Sequence, residues 1–119
     1  MKITTHDGGV WVLRHLWPER YAASDLFGKV EIGDNCHIGM NAMIMPGVII
    51  GSNCIVGTCA VVTHDVPNNT VVAGVPARAL CTIEQYRDKH FDELVMTKGM
   101  TWRDKRRIVE GKINERGPF

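Results

Sequence analysis

From Val30 to Asp65 the chain repeats itself every six residues, and no other feature constrains its folding as strongly. Ile32, Ile38, Ile44, Ile50, Val56 and Val62 form an unbroken aliphatic row at that spacing. Two residues ahead of each stands a small or modest apolar side chain: Val30, Cys36, Ala42, Val48, Cys54 or Ala60. Gly33, Gly39, Gly51 and Gly57 follow the aliphatic residue in four of the six units. Asp34-Asn35, Met40-Asn41, Pro46-Gly47 and Ser52-Asn53 supply turn chemistry between the units. Alternation with period two inside a unit and six between units describes a short strand, a corner and another strand. Three units close a triangular coil of roughly eighteen residues, and coils stack at about 4.7 Å, so like positions lie over one another. The implied fold is an all-β solenoid, a parallel β-helix with the aliphatic ladder as its core.

A chain of 119 residues has room for one domain. Two clean coils bury little surface by themselves, so self-association is expected. The segments around the repeat are read more coarsely. Residues 1–29 are a loop segment and an excursion: Ile3-Thr4-Thr5 as a short strand, His6-Asp7-Gly8-Gly9 as a loop, Val10-Trp11-Val12-Leu13 as another short strand, then an irregular stretch from Trp17-Pro18. Residues 30–81 are the coils. Val66-Pro67-Asn68-Asn69-Thr70 breaks the hexad, and Val71 to Ala77 makes a last partial coil. After Pro76 the pattern turns helical, and residues 82–119 read as a helical cap over the open end of the solenoid. One helix is expected from Ile83 to about Val95. A second opens at the capping box Thr101-Trp102-Arg103-Asp104 and ends near Gly111.

Composition excludes several classes of function. Fourteen basic against thirteen acidic residues give a net charge of +1, which offers nothing to a nucleic-acid backbone. The cluster Arg103, Lys105, Arg106, Arg107 is interleaved with Asp104 and Glu110 and reads as a solvated helix face. No apolar run reaches the length of a membrane span, and no charged and apolar leader opens the chain, so a cytoplasmic location is expected. Cys36 and Cys54 fall in the inward row one coil apart, where cysteine acts as a small hydrophobe, and free thiols are expected. Cys59 and Cys81 follow no pattern of their own in spacing.

Three segments carry a family resemblance. They are Ile32-Gly33-Asp34-Asn35-Cys36-His37-Ile38-Gly39 with Ile44-Met45-Pro46-Gly47-Val48-Ile49-Ile50-Gly51, then Val61-Val62-Thr63-His64-Asp65-Val66-Pro67, then Val72-Ala73-Gly74-Val75-Pro76-Ala77-Arg78. In order and spacing they resemble the end-of-helix signature of the hexapeptide-repeat acyltransferases, in particular the maltose and galactoside O-acetyltransferase branch. Thr5-His6-Asp7 resembles that family's catalytic-histidine segment, and some capsule and lipopolysaccharide sugar acetyltransferases have a similar loop followed by an excursion. The resemblance implies a left-handed winding, a homotrimer, and acetyl-CoA as co-substrate with no metal. Two departures stand out. Coils that precede this segment in relatives, with their acceptor-binding residues, have no counterpart ahead of His6, which reads as a minimal or truncated member. His37 stands where relatives often carry an aromatic.

Acetyl transfer from a thioester to a hydroxyl needs a base for the hydroxyl proton, and histidine suits it because imidazole titrates near neutrality. The resemblance makes His6 that base. Asp7 is a candidate to orient the ring, although an aspartate before two glycines also reads as a turn former. Matching segment by segment, Met40 falls where a backbone N–H meets the thioester end, and Thr58 where the backbone meets the pantetheine arm. Thr63, His64 and Arg78 match positions around the adenine and phosphates, and Cys81 a further contact position. His37 reads as an outward residue at a subunit interface, and His15 and His90 carry no signal.

The leading expectation is an acetyl-CoA-dependent O-acetyltransferase acting on a sugar or glycan-precursor hydroxyl. Amino-sugar N-acetylation and a non-catalytic trimeric assembly module are the alternatives. Zinc-dependent carbonic anhydrases share this type of fold, but they need three converging histidines, and His37 and His64 stand one and a half coils apart.

Overall fold

The computed structural model describes residues 1–116; residues 117–119, the end of the expected helical cap, lie outside the described part. The repeat builds six two-residue strands: β2 (Glu31–Ile32), β3 (His37–Ile38), β4 (Met43–Ile44), β5 (Ile49–Ile50), β6 (Ile55–Val56) and β7 (Val61–Val62). They form three parallel sheets, one per face of a triangular stack. Glu31 pairs with Ile49, His37 with Ile55 and Met43 with Val61, each one coil of eighteen residues on. The preceding strand β1 (Lys2–Ile3) stacks on β4 with Ile3 opposite Ile44.

Ile44, Ile50, Val56 and Val62 are buried, as are Ala42, Val48, Cys54 and Ala60 of the second row. At the end of the stack, where β2 and β3 have a neighbour on one side only, Val30, Ile32, Cys36 and Ile38 are part-buried against the same core. Burial pushes the Cys54 thiol up, and neighbouring Cys36 adds to the effect. Both thiols are free and donate to backbone carbonyls, Cys36 to Gly51 O and Cys54 to Pro67 O.

The corners explain the turn residues. Asn35, Asn41, Asn53 and Asn69 take φ between 56° and 59°, and Gly47 takes 83°. This is left-handed backbone, which asparagine and glycine enter at low cost. Asn35 Nδ2 donates to Asn53 Oδ1 at 2.9 Å, and Asn53 Nδ2 to Asn69 Oδ1 at 3.1 Å, so one corner is tied by a side-chain ladder. Gly39 is needed for a different reason: a Cβ there would lie 2.6 Å from the Thr58 amide nitrogen of the next coil.

After Asp65 the coil shortens. Ile55 pairs with Val71 of β8 (Thr70–Ala73), sixteen residues on, so the segment from Val66 to Thr70 does break the hexad. The missing length is made up by side chains: Asp65 Oδ1 accepts the Ile49 amide at 2.8 Å, and Asn68 Oδ1 accepts that of Ser52 at 2.8 Å.

Three elements differ from expectation. Val10-Trp11-Val12-Leu13 is not a strand but part of α1 (Val10–Leu16), followed by α2 (Pro18–Tyr21) with proline in its first turn. Strand-forming side chains lose here because β pairing needs a neighbour with free backbone groups, whereas a helix satisfies its own. The segment after Pro76 is not yet helical: β9 (Arg78–Thr82) pairs antiparallel with β8, whose outer edge would otherwise be bare. Its helical successor α3 runs from Ile83 to His90, with a 3₁₀ turn at Phe91–Glu93. Finally, α4 (Trp102–Arg116) passes through Gly111 rather than ending near it. A glycine inside a helix costs only about 1 kcal/mol relative to alanine. Thr101 Oγ1 caps α4 by accepting the Asp104 amide at 3.3 Å.

The described chain divides into two compact units between Arg87 and Asp88. Two basic residues of α4 are exposed and paired within the helix, Arg106 with Glu110 at 2.7 Å and Arg107 with Asp104 at 3.9 Å. Among the described residues no helix is long and apolar enough to cross a membrane.

Candidate functional site

His6 stands three residues after the end of β1 and therefore at the corner where β4 and β7 end. Thr4 N donates to Ile44 O at 3.1 Å, so the chain stays docked on the stack up to that point. The excursion then leaves through α1 and α2 and returns alongside. His6 bridges Phe27 in antiparallel fashion, Asp7 N donates to Leu26 O at 2.9 Å, and Gly28 N donates to Thr5 O at 2.8 Å. Gly28 is pressed against the Pro46-Gly47 corner: a Cβ on it would lie 2.4 Å from Gly47 N. Both ends of the excursion are thereby pinned to one corner of the solenoid.

The His6 side chain is about half exposed, and its ring packs against Phe27 with centroids 4.8 Å apart. Asp7 is not aimed at the imidazole. Its Oδ1 accepts the Gly9 amide at 2.8 Å, the turn-forming role of an aspartate before glycine. The carboxylate beside His6 belongs to Asp25, with Oδ1 3.8 Å from His6 Nε2. Arg14 of α1 binds that carboxylate oxygen through Nη2 and donates from Nε to Ser24 O at 2.6 Å. Arg14, Asp25 and Phe27 escape a reading of the sequence because they lie in a stretch without periodicity.

Five of the six positions matched to a coenzyme fall into two groups. Met40 and Thr58 occupy one corner, stacked coil over coil, with the Cys59 amide donating to Met40 O at 2.9 Å. The turn leading to Arg78 lies on that corner too: Val61 N donates to Gly74 O at 3.0 Å and Ala77 N to Val61 O at 2.8 Å. Met40 is 73% exposed, as a residue offering its backbone rather than its side chain can be. Thr63 and His64 stand at the next corner, on the His6 side, where Thr63 Oγ1 and His64 Nδ1 share a hydrogen bond of 2.9 Å. A cleft of about 340 Å³ there is lined by Asp7, Phe27, Gly28, Met45, Pro46 and Thr63, among others. Cys81 lies apart on β9, opposite Val71. From Asn41 to Gly47, corner to corner, six residues of chain span at most roughly 20 Å.

No group of three or more His, Cys, Asp or Glu side chains gathers around a possible metal position among the described residues. His37, paired with Ile55, lies on a different sheet from the strand preceding His64.

Residues 29–64 match the family model described as bacterial transferase hexapeptide (six repeats). Protein CapG of Staphylococcus aureus is 41% identical over 115 residues, 97% of this chain and 64% of that protein. The galactoside O-acetyltransferase of Escherichia coli K12 is 47% identical over 62 residues, 52% of this chain and 30% of that protein. Among solved structures, a galactoside acetyltransferase in complex with coenzyme A superposes with a TM-score of 0.60 at 30% identity, over 83% of this chain and 44% of that one. A hexapeptide-repeat acetyltransferase of Vibrio cholerae complexed with acetyl coenzyme A gives 0.53 at 33% identity, over 68% and 41%. The chain thus spans less than two thirds of the length of each. With a six-residue repeat that folds into a three-sided parallel stack, residues 29–64 carry the repeat of the bacterial hexapeptide transferases, and the chain is similar to Protein CapG along 97% of its length.

Proposed function

We propose that the protein transfers an acetyl group from acetyl-CoA to a hydroxyl of a sugar or glycan precursor, with His6 as general base. The observation that carries this reading is the pinned loop, which holds an accessible imidazole at a solenoid corner beside a carboxylate. Similar proteins named as galactoside and maltose O-acetyltransferases, and complexes with coenzyme A and acetyl coenzyme A, support the substrate classes. In the proposed step the imidazole takes the hydroxyl proton as the oxygen attacks the thioester carbonyl. The carbon–sulfur bond then breaks, and the proton passes to the departing thiolate. A backbone N–H at Met40 would meet the thioester end. The solenoid winds left-handed in this reading, and the protein works in the cytoplasm, where its donor is made.

The same reading calls for a threefold assembly. Met40, Thr58 and Arg78 stand at one corner, and His6, Thr63 and His64 at the next. A trimer would set one copy's first corner against its neighbour's second, so that one coenzyme touches both groups. Exposed Met40, Val75 and Leu80 give the first edge an apolar surface to cover. Light scattering at micromolar concentration should return the trimer mass. A stable monomer would overturn the arrangement.

Acetyl-CoA should bind to the wild-type protein, and Arg78→Gln should weaken it roughly 10- to 150-fold, since a charge-assisted contact to phosphate contributes on the order of 1.5–3 kcal/mol. Raising the salt concentration should weaken wild-type binding more than that of the variant. Titration calorimetry checks both, and no binding at millimolar coenzyme would leave the assembly module as the better reading.

A further inference from the structure

We propose that Asp25, held in place by Arg14, is the positioning carboxylate for the His6 imidazole, a role that rests on His6 being the base. With Asp7 occupied by the Gly9 amide, Asp25 Oδ1 is the acidic oxygen facing the ring, 3.8 Å from Nε2. That distance is longer than a hydrogen bond. Catalytic contacts are commonly long in unliganded sites and tighten when substrate binds.

Three restraints keep the two side chains together. The antiparallel bridge between His6 and Phe27, with its flanking backbone hydrogen bonds, fixes the returning segment beside the histidine. The Phe27 ring limits the rotation of the imidazole. Arg14, 27% exposed against 47% for Asp25 and 55% for His6, grips both Ser24 O and Asp25 Oδ1. A planar guanidinium can span a carbonyl and the adjacent carboxylate in this way, whereas an ammonium cannot reproduce the fork. The first helix of the excursion thus serves the site, because α1 supplies the residue that aims Asp25.

The consequence is a choice of tautomer. A carboxylate that accepts the N–H of one ring nitrogen leaves the lone pair on the other. Asp25 would hold the proton on Nε2 and leave Nδ1 to accept from the acceptor hydroxyl. The charged groups facing the ring are Asp25, from the returning segment, and Arg14, which reaches it through Asp25.

A double-mutant cycle tests this. Asp25→Asn should lower kcat roughly 10- to 100-fold, less than for a buried triad aspartate because the pair is half exposed. KM for acetyl-CoA should change less than about threefold, and the same substitution should cost nothing further in a His6→Ala background. Asp25→Glu, which keeps the carboxylate, should recover part of the rate. Nitrogen-edited NMR of the unliganded protein should show one His6 tautomer in the wild type and a mixture in Asp25→Asn and Arg14→Lys. Equal losses in both backgrounds, or unchanged tautomer spectra in a folded variant, would overturn the proposal. Full activity of His6→Ala would instead remove the base reading, and the spectra would still decide whether Asp25 orients the ring.

Discussion

Ile44→Asp is expected to abolish cooperative folding. Ile44 is fully buried at the centre of the sheet β1–β4–β7, with Ile3 on one side and Val62 on the other. The substitution removes an aliphatic side chain worth about 1.5–3 kcal/mol of burial. It also places a carboxylate where the core offers only aliphatic neighbours, at a cost of several kcal/mol even if the group protonates. Those losses together rival the roughly 5–15 kcal/mol that separates a folded domain from its unfolded chain. The site goes with the core, because Thr4, two residues before His6, is docked on Ile44 O. Circular dichroism with urea titration is the check, and Ile44→Val is the control, expected to lose only about 0.5–1.5 kcal/mol. A soluble Ile44→Asp protein with a cooperative unfolding transition would show that the register of the ladder is wrong.

The ladder was legible because a repeat states the same burial six times, and each statement checks the others. Where one unit departs from the consensus the pattern hides its own rule. Cys59 carries no turn signal, yet it lies one coil after Asn41 and takes φ 60°, the left-handed corner that asparagine fills elsewhere. Its place in the register, rather than its chemistry, would have identified it. The excursion was not legible in the same sense. Val10-Trp11-Val12-Leu13 has the side chains of a strand, but the conformation is decided by tertiary ties, among them Arg14 to Ser24 and Asp25. Likewise, β9 forms because β8 needs a partner, which no local propensity expresses. The position of His6 could be read from its segment, since the histidine follows a strand whose place in the stack is set. Asp25 could not, because only the return of the chain past Leu26 and Phe27 brings it to the ring. Short-range motif reading reaches only Asp7, the nearest carboxylate in sequence, and leaves its orienting and turn-forming roles open; Asp25 is brought near the ring by the fold.

His6→Ala is expected to lower kcat by roughly 10²–10⁴-fold while leaving acetyl-CoA affinity nearly unchanged. The size follows from the role: without a positioned base the hydroxyl must lose its proton to water as it attacks the thioester. The affinity should survive because the coenzyme's grip is assigned to backbone groups at Met40 and Thr58 and to the Arg78 guanidinium, not to the imidazole. Nor should the fold suffer, since the ring is half exposed and what docks this segment is main chain, Thr5 O to Gly28 N and Asp7 N to Leu26 O. Removing the ring forfeits its contact with Phe27, a loss confined to an exposed pair. In the wild type, acidification should slow the reaction, because a protonated imidazole has no lone pair with which to accept the hydroxyl proton. The variant's residual rate should lack that dependence. Thiol release from acetyl-CoA, followed with a sugar acceptor across a pH series, gives both quantities. A wild-type rate that persists in His6→Ala would remove the histidine from the chemistry. Loss of coenzyme binding in step with the rate would make it a binding residue instead of a base.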